Sequence, residues 1–298
     1  MTFAQDAATA KAASMPQAPV ATGCVDFILR PEGIVAELVR IGRHPYIRDA
    51  RHAQPQVAPA EDEKRFARIL DILHGATGID FSLYREKMIQ RRILRRLALR
   101  NINNLAEYSE RLEKDFDEVK SLQRDLLISV TSFFRDPESF ECWKKVVFPR
   151  ILQGRPGNET IRVWVAGCAT GEEAFSIAIS LQETLSETGA AFPVQIFASD
   201  ISLAAIEKAR TGGYRENIAA EVLPERLNRY FTKIEGGYQI NKDLREMCVF
   251  TRHNLIDDPP FTKLDLISCR NVLIYLGSVQ KNIISLFHYA LKPVGLSA

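Results

Sequence analysis

The sequence has no run of the ~18 to 20 consecutive apolar residues that a membrane-crossing helix needs. Its start, Met1 to Met15, is alanine-rich and polar and lacks the apolar stretch of a secretory signal. A soluble protein kept in the cytoplasm is therefore expected. Cysteine is scarce. The five thiols, Cys24, Cys142, Cys168, Cys248 and Cys269, are far apart and form no C-x-x-C pair. Neither a disulfide framework nor a thiolate zinc site is supported, and reduced, buried thiols are expected. No charge sign dominates, since 39 Lys and Arg face 37 Asp and Glu in 298 residues. At 46% hydrophobic and 26% charged, the composition is that of an ordinary globular chain long enough for about two domains. Collagen-like, rod-like and wholly disordered chains are excluded.

Four regions can be separated by pattern. In residues 1–45, Val25, Phe27, Ile28 and Leu29 suggest a strand, and Ile34, Val35, Leu38 and Ile41 line one side of a helix after Pro31. One strand and one helix cannot enclose a core. Residues 46–62 mix Pro, Ala, Gln and charges without a period and read as a linker that holds His52, with His44 just before it. Residues 63–128 are helical throughout. A first helix carries Phe66, Ile69, Leu70 and Leu73, and a second, capped by Asp80 or Ser82, runs to Arg100. A third begins at Asn104, and a fourth spans Phe116 to Ile128. Residues 129–298 open with a helix capped by Asp136 ahead of Pro137. Strands at Thr160 to Gly167, "VQIFASD" and "LDLISC" then alternate with helices. Such alternation predicts an α/β domain with a parallel sheet, whose ligand lies at the carboxyl ends of its strands.

The loop "AGCATGEEAFS", Ala166 to Ser176, joins a strand to a helix and lets a ligand approach its backbone. It is not a phosphate loop, because Gly171 is followed by Glu172 and Glu173 where a P-loop has Lys, and two carboxylates repel a polyphosphate. Nor does Gly167-x-x-x-Gly171 have dinucleotide spacing. A cationic, phosphate-free ligand is favoured. The competing explanation, two acids that only complement the helix dipole, applies more readily to Glu173 than to Glu172. Asp200 ends the next strand, where an acid can accept two ribose hydroxyls or, alternatively, cap the following helix. S-adenosylmethionine, a sulfonium-bearing nucleoside, fits both the loop and the acid.

The segments "SVTSFFRDPESF", "RVWVAGCATGEEAFSIAI", "IFASDIS", "ARTGGY", "FTRHNL" and "DLISCRNVLIYL" together resemble the chemotaxis receptor methyltransferases of CheR type, over about Glu63 to Leu291. The resemblance implies a Rossmann-like S-adenosylmethionine-dependent methyltransferase domain behind an all-α domain, and methyl transfer to glutamate side chains of chemoreceptors. Carried over by motif, it implies cofactor contacts from Ser129, Thr131, Arg135, Glu172, Asp200, Asn254, Leu255, Arg270 and Asn271. Ser129 stands where the best-known members have Asn. Arg135 and Tyr275 are the candidates for the methyl-transfer step itself, with packing the alternative for Tyr275. The family continues past "LKPGG", whereas this sequence reads "LKPVGLSA" and stops, so the final strands of the sheet are expected to be missing. A non-catalytic cofactor-binding or receptor-docking fragment is the alternative. Residues 1–45 are similar to the closing strand and helix of the CheB-type methylesterases, which precede the methyltransferase in hybrid proteins. The catalytic triad of those enzymes lies upstream of that tail, so no hydrolase activity is assigned.

Charge is uneven in one place. From Leu83 to Arg100, seven basic residues stand against one acid, and i, i+4 spacing aligns Lys87, Arg91 and Arg95 beside Arg92, Arg96 and Arg100. Nearly pure positive charge suits an acidic partner. The resemblance implies the glutamate-rich receptor helices, and nucleic acid is the less favoured alternative. "DDPPF", Asp257 to Phe261, is similar to a motif of methyltransferases acting on nitrogen, including nucleic-acid enzymes, but it precedes the strand it should follow and reads as a loop.

Overall fold

A computed structural model describes residues 1–21, 25–43, 60–157 and 159–297, which fall into two compact units, Met1–Leu127 and Ile128–Ala298. Cys24, His44, His52 and most of the expected linker lie outside the described residues.

In the first unit, β1 (Phe3–Gln5) pairs in parallel with β2 (Phe27–Leu29), α1 (Ser14–Ala21) lies between them in sequence, and α2 (Pro31–Arg43) follows. The expected lone strand therefore has a partner, and the Phe3 and Phe27 rings stack at 5.1 Å. No apolar alternation marked β1 in advance. The helical part comprises α3 (Ala60–Thr77), α4 (Glu86–Arg100), α5 (Leu105–Lys114) and α6 (Phe116–Leu126). Helix α3 begins inside the segment read as linker, with Glu61, Asp62 and Glu63 in the first turn complementing the helix dipole. Asp80 does not cap α4. It accepts from Ser82 N at 2.9 Å and starts a 3-10 turn at Phe81–Leu83. Ile89, Ile93 and Leu97 recur every four residues and form the buried stripe of α4. Asn104 and Asp115 cap α5 and α6 by accepting from the N–H of Glu107 and Glu118.

This core also holds a charge. The Glu118 carboxylate accepts from Arg96 Nε and Nη2 at 2.8 and 2.6 Å, Arg100 Nε at 2.5 Å and Tyr108 Oη at 3.0 Å. Burial opposes its ionisation, but these donors outweigh burial and hold the carboxyl below its ordinary range.

The second unit opens with α7 (Pro137–Cys142), a π-turn at Trp143–Val147 and α8 (Phe148–Leu152). Its main sheet consists of β3 (Ile161–Ala166), β4 (Val194–Asp200), β8 (Cys248–Arg252), β9 (Leu264–Ser268) and β10 (Leu291–Ser297) in the order β10-β9-β3-β4-β8, all parallel. Strand β10 is the "LKPVGLS" run itself, and it pairs beside β9 as one edge of this sheet. The chain leaves β3 toward β4 and returns to the other side of β3 with β9. This reversal opens a crevice at the carboxyl ends of the strands. Helix α9 (Glu172–Thr188) is buried on most sides. Its Ser176, Ser180 and Thr184 hydroxyls donate to carbonyls four residues back, which satisfies polar groups that would otherwise be costly to bury. After α10 (Leu203–Thr211) comes a small antiparallel sheet, β5 (Gly213–Arg215), β7 (Gly237–Ile240) and β6 (Phe231–Ile234), that the sequence pattern did not reveal. Helices α11 (Pro224–Tyr230), α12 (Lys242–Met247) and α13 (Gln280–Ala290) complete the unit.

Candidate functional site

The glycine loop leaves β3 at Gly167, with φ +78, where a Cβ would sit 2.2 Å from Val272 Cγ2. Gly171 has φ +95 and would meet Ala209 Cβ at 2.9 Å. Both positions require glycine for conformation and for space. The N–H groups of Gly167 and Cys168 donate to the Ser199 carbonyl at 2.7 and 2.9 Å, and Tyr214 Oη donates to the Thr170 carbonyl at 2.8 Å. The loop is thereby fixed against β4 and β5.

Two acids face this loop. Asp200 accepts from Ala169 N at 2.9 Å and Ser202 N at 2.8 Å, and burial raises its carboxyl pKa despite those donors. It does not cap the next helix, because Ser202 does so by accepting from Ala205 N. Glu172 is 7% exposed and accepts from Thr170 Oγ1 at 2.8 and 2.7 Å, and burial raises its pKa as well. Neither acid has an arginine or lysine in hydrogen-bond contact among the described residues.

On the other side of the crevice, Arg270 Nη2 donates to the Arg135 carbonyl and to Asp136 Oδ2, both at 2.7 Å. Its Nη1 is buried without a hydrogen-bond partner, and the guanidinium lies over the rings of Phe140 and Trp143 at 5.4 and 5.9 Å. Arg135 Nη1 donates to the Val130 carbonyl at 3.2 Å. Phe134, Asp136 and Asn271 are non-glycine residues with φ of +49, +57 and +58, a strain that concentrates at ligand clamps. Asp136 stands at the N-cap ahead of Pro137 as expected, but its side chain makes no cap bond and pairs with Arg270 instead.

Other expected contacts are placed differently. The Asn254 side chain serves its own loop, donating to Asp257 at 2.6 Å and accepting from Ile256 N at 3.1 Å, while its backbone N donates to Asp258. A cofactor contact from the Asn254 amide is thus not preformed. Leu255, Thr131 and Tyr275 are half-buried, Tyr275 within a 3-10 turn, and Ser129 and Asn271 are exposed. "DDPPF" is a loop ahead of β9, as read, with Phe261 stacked on Phe197 at 4.8 Å. The residue that sequence reasoning left to the helix dipole is Glu173. It accepts from Ser268 Oγ at 2.5 Å, joining α9 to the end of β9, and only the second acid after Gly171 hinted at it.

The basic helix is not one free face. Arg95 donates to Asp26 at 2.6 and 2.7 Å and also pairs with Asp125, while Arg96 and Arg100 bind Glu118. These three are corrections to the expected docking set. Their acids are Asp26, just ahead of β2, and two residues of α6, which no spacing along α4 reveals. Among the described residues Lys87, Arg91 and Arg92 have no ion-pair partner, and Lys87 and Arg91 are exposed.

The donor set suits S-adenosylmethionine. A buried guanidinium N–H is unpaired, an acid ends β4, and no phosphate-binding cation follows Gly171. Comparison with known proteins agrees with this geometry. Residues 129–297 match the family described as "CheR methyltransferase, SAM binding domain", and residues 64–127 match "CheR methyltransferase, all-alpha domain". An uncharacterized 104.1 kDa protein of Rhodobacter capsulatus is 39% identical over 98% of this chain, which spans only 33% of that relative. Chemotaxis protein methyltransferases of Borreliella burgdorferi and Vibrio cholerae are 32% and 31% identical over 72% and 78% of the chain, and 79% and 82% of their own lengths. With its crevice, glycine loop and both matched domains, the chain belongs to the CheR methyltransferase family.

Proposed function

We propose that the protein transfers a methyl group from S-adenosylmethionine to glutamate side chains of chemoreceptors. This reading is carried by Asp200 and Glu172, which hold the glycine loop after β3, together with the half-satisfied Arg270 just past β9, the strand that pairs with β3. Asp200 and the loop from Gly167 to Gly171 hold the nucleoside, Glu172 favours a cationic ligand, and Arg270 Nη1 takes a carboxylate. When bound, S-adenosylmethionine supplies a sulfonium methyl that a carboxylate can take by direct displacement. A glutamate with an ordinary pKa of about 4.3 is already ionised at neutral pH, so the chain need not provide a strong base. Its contribution is to align the reactants and exclude water, with Arg135 and Tyr275 at the entrance of that step.

In this reading Lys87, Arg91 and Arg92 dock the acidic methylation helices of the receptor, and the protein works in the cytoplasm. Residues 1–45 are the tail of a CheB-type methylesterase, a reading that the strand and helix Phe27–Leu29 and Pro31–Arg43 support. The test is calorimetric titration of S-adenosylhomocysteine into the chain and its Asp200→Ala variant, followed by labelled-methyl transfer to receptor fragments. Binding that the substitution abolishes, with label in receptor glutamates, is expected. A folded chain that binds no S-adenosylhomocysteine defeats the enzyme reading.

A further inference from the structure

Glu173 has no task in the function proposed above. If it served only the helix dipole, a solvent-facing side chain would be enough. Instead its carboxylate turns inward and accepts from Ser268, which is fully buried at the end of β9, two residues before Arg270. The charges of Arg270 and Arg135 favour its ionised form, Asp136 opposes it, and burial opposes it most. Around Arg270 every fixed contact is made by the protein: the Arg135 carbonyl and Asp136 hold Nη2, and Phe140 and Trp143 lie beneath the plane. Nη1 is buried and has no hydrogen-bond partner among the described residues. A buried donor left unpaired is costly, so an orphan whose neighbours are all held marks a place for a ligand oxygen.

We infer that Glu173 is a positioning residue: through its bond from Ser268, two residues before Arg270, and through its negative charge it holds the guanidinium so that Nη1 receives a ligand carboxylate. Glu173 and Asp136 balance Arg270 and Arg135 before the ligand arrives. The guanidinium therefore has no need to swing toward another acid. The carboxylate is that of the cofactor's methionyl end or of the substrate glutamate, and this assignment of sources rests on the methyltransferase reading.

The test is a double-mutant cycle of Glu173→Gln and Arg270→Gln in the full chain. Glutamine keeps the shape and can still accept from Ser268 while removing the charge. In E173Q we expect S-adenosylhomocysteine affinity to fall about tenfold, the size of a lost charge-assisted hydrogen bond. In the R270Q background the same substitution should have almost no further effect. The KM for S-adenosylmethionine should rise with it and that for the receptor fragment should not, a split that a merely structural role would not produce. A rise confined to the receptor KM, again lost in R270Q, assigns Nη1 to the substrate carboxylate and supports the same positioning role. Ser268→Ala should reproduce part of the loss, which guards against a misfolded E173Q. Equal effects of E173Q with and without Arg270 overturn the inference. If the native chain binds no S-adenosylhomocysteine, the methyltransferase reading falls. The cycle read in urea unfolding then decides for positioning if it is non-additive and against it if it is additive.

Discussion

Each unit of this protein buries acids beside arginines, and the two places are built in opposite ways. In the helical unit one carboxylate, Glu118, receives bonds from Arg96, Arg100 and Tyr108 and is held below its ordinary pKa. In the α/β unit Glu172, Glu173 and Asp200 are buried with hydroxyl or backbone donors only, and burial raises all three pKa values. A guanidinium nitrogen nearby stays unpaired. A completed ion cluster fixes a fold, whereas an incomplete one leaves capacity for a ligand.

The largest effect should come from breaking the complete cluster. Glu118→Ala leaves two arginines without their buried partner and should cost the helical unit about 3 to 5 kcal/mol in urea unfolding, the usual loss when one member of a buried pair is removed. A loss below about 1 kcal/mol would show the cluster to be as permissive as the site. Gly167→Ala forces a methyl into Val272 at a left-handed φ and should cost about 1 to 3 kcal/mol, partly recovered when Val272→Ala is added. Asp200→Ala should leave stability nearly unchanged while weakening S-adenosylhomocysteine about 10- to 100-fold, as loss of charged hydrogen bonds does. An equal loss of stability would make Asp200 a second Glu118.

Acidity separates the two places by sign. Glu118 has a lowered folded pKa, so its stabilisation is complete above the unfolded value of about 4.3 and is lost as pH falls through the folded value. Glu172, Glu173 and Asp200 have raised folded values. Their protonation stabilises the α/β unit as pH falls from neutral through those values, until the unfolded chain protonates too. Thermal melts between pH 7 and 4 should show that gain shrinking in Glu172→Gln, while Glu118→Gln should flatten the loss at lower pH. The smallest effect on stability, within about 0.5 kcal/mol each, belongs to Lys87→Ala, Arg91→Ala and Arg92→Ala, which break no ion pair among the described residues. Together they should reduce the salt-dependent binding of an acidic receptor helix. Unchanged binding would move docking off this helix.

The strands β3, β4 and β9 were legible as β-rich runs, β3 leading into glycine and β4 ending in an acid, and α3 as an apolar stripe with Asn104 marking the start of α5. The small antiparallel sheet and β1 were not, because short strands carry too few residues to show a period of two. Asp200 and Glu172 stood out at the ends of patterned elements. Glu173 did not, because an acid in a first helical turn has an adequate local explanation and its partner Ser268 is 95 positions away.

Local sequence by itself determined the alternation that makes the sheet parallel, the two glycines of the loop after β3, and the concentration of arginine on α4. Hydrophobic period and turn chemistry act over a few residues, and a single sequence records them. Only the tertiary structure decided which arginines are satisfied. Asp26 and Glu118 neutralise Arg95, Arg96 and Arg100, whereas Arg270 Nη1 is left open. Coulomb attraction and desolvation depend on distance and burial in the folded chain, and sequence separation does not encode either.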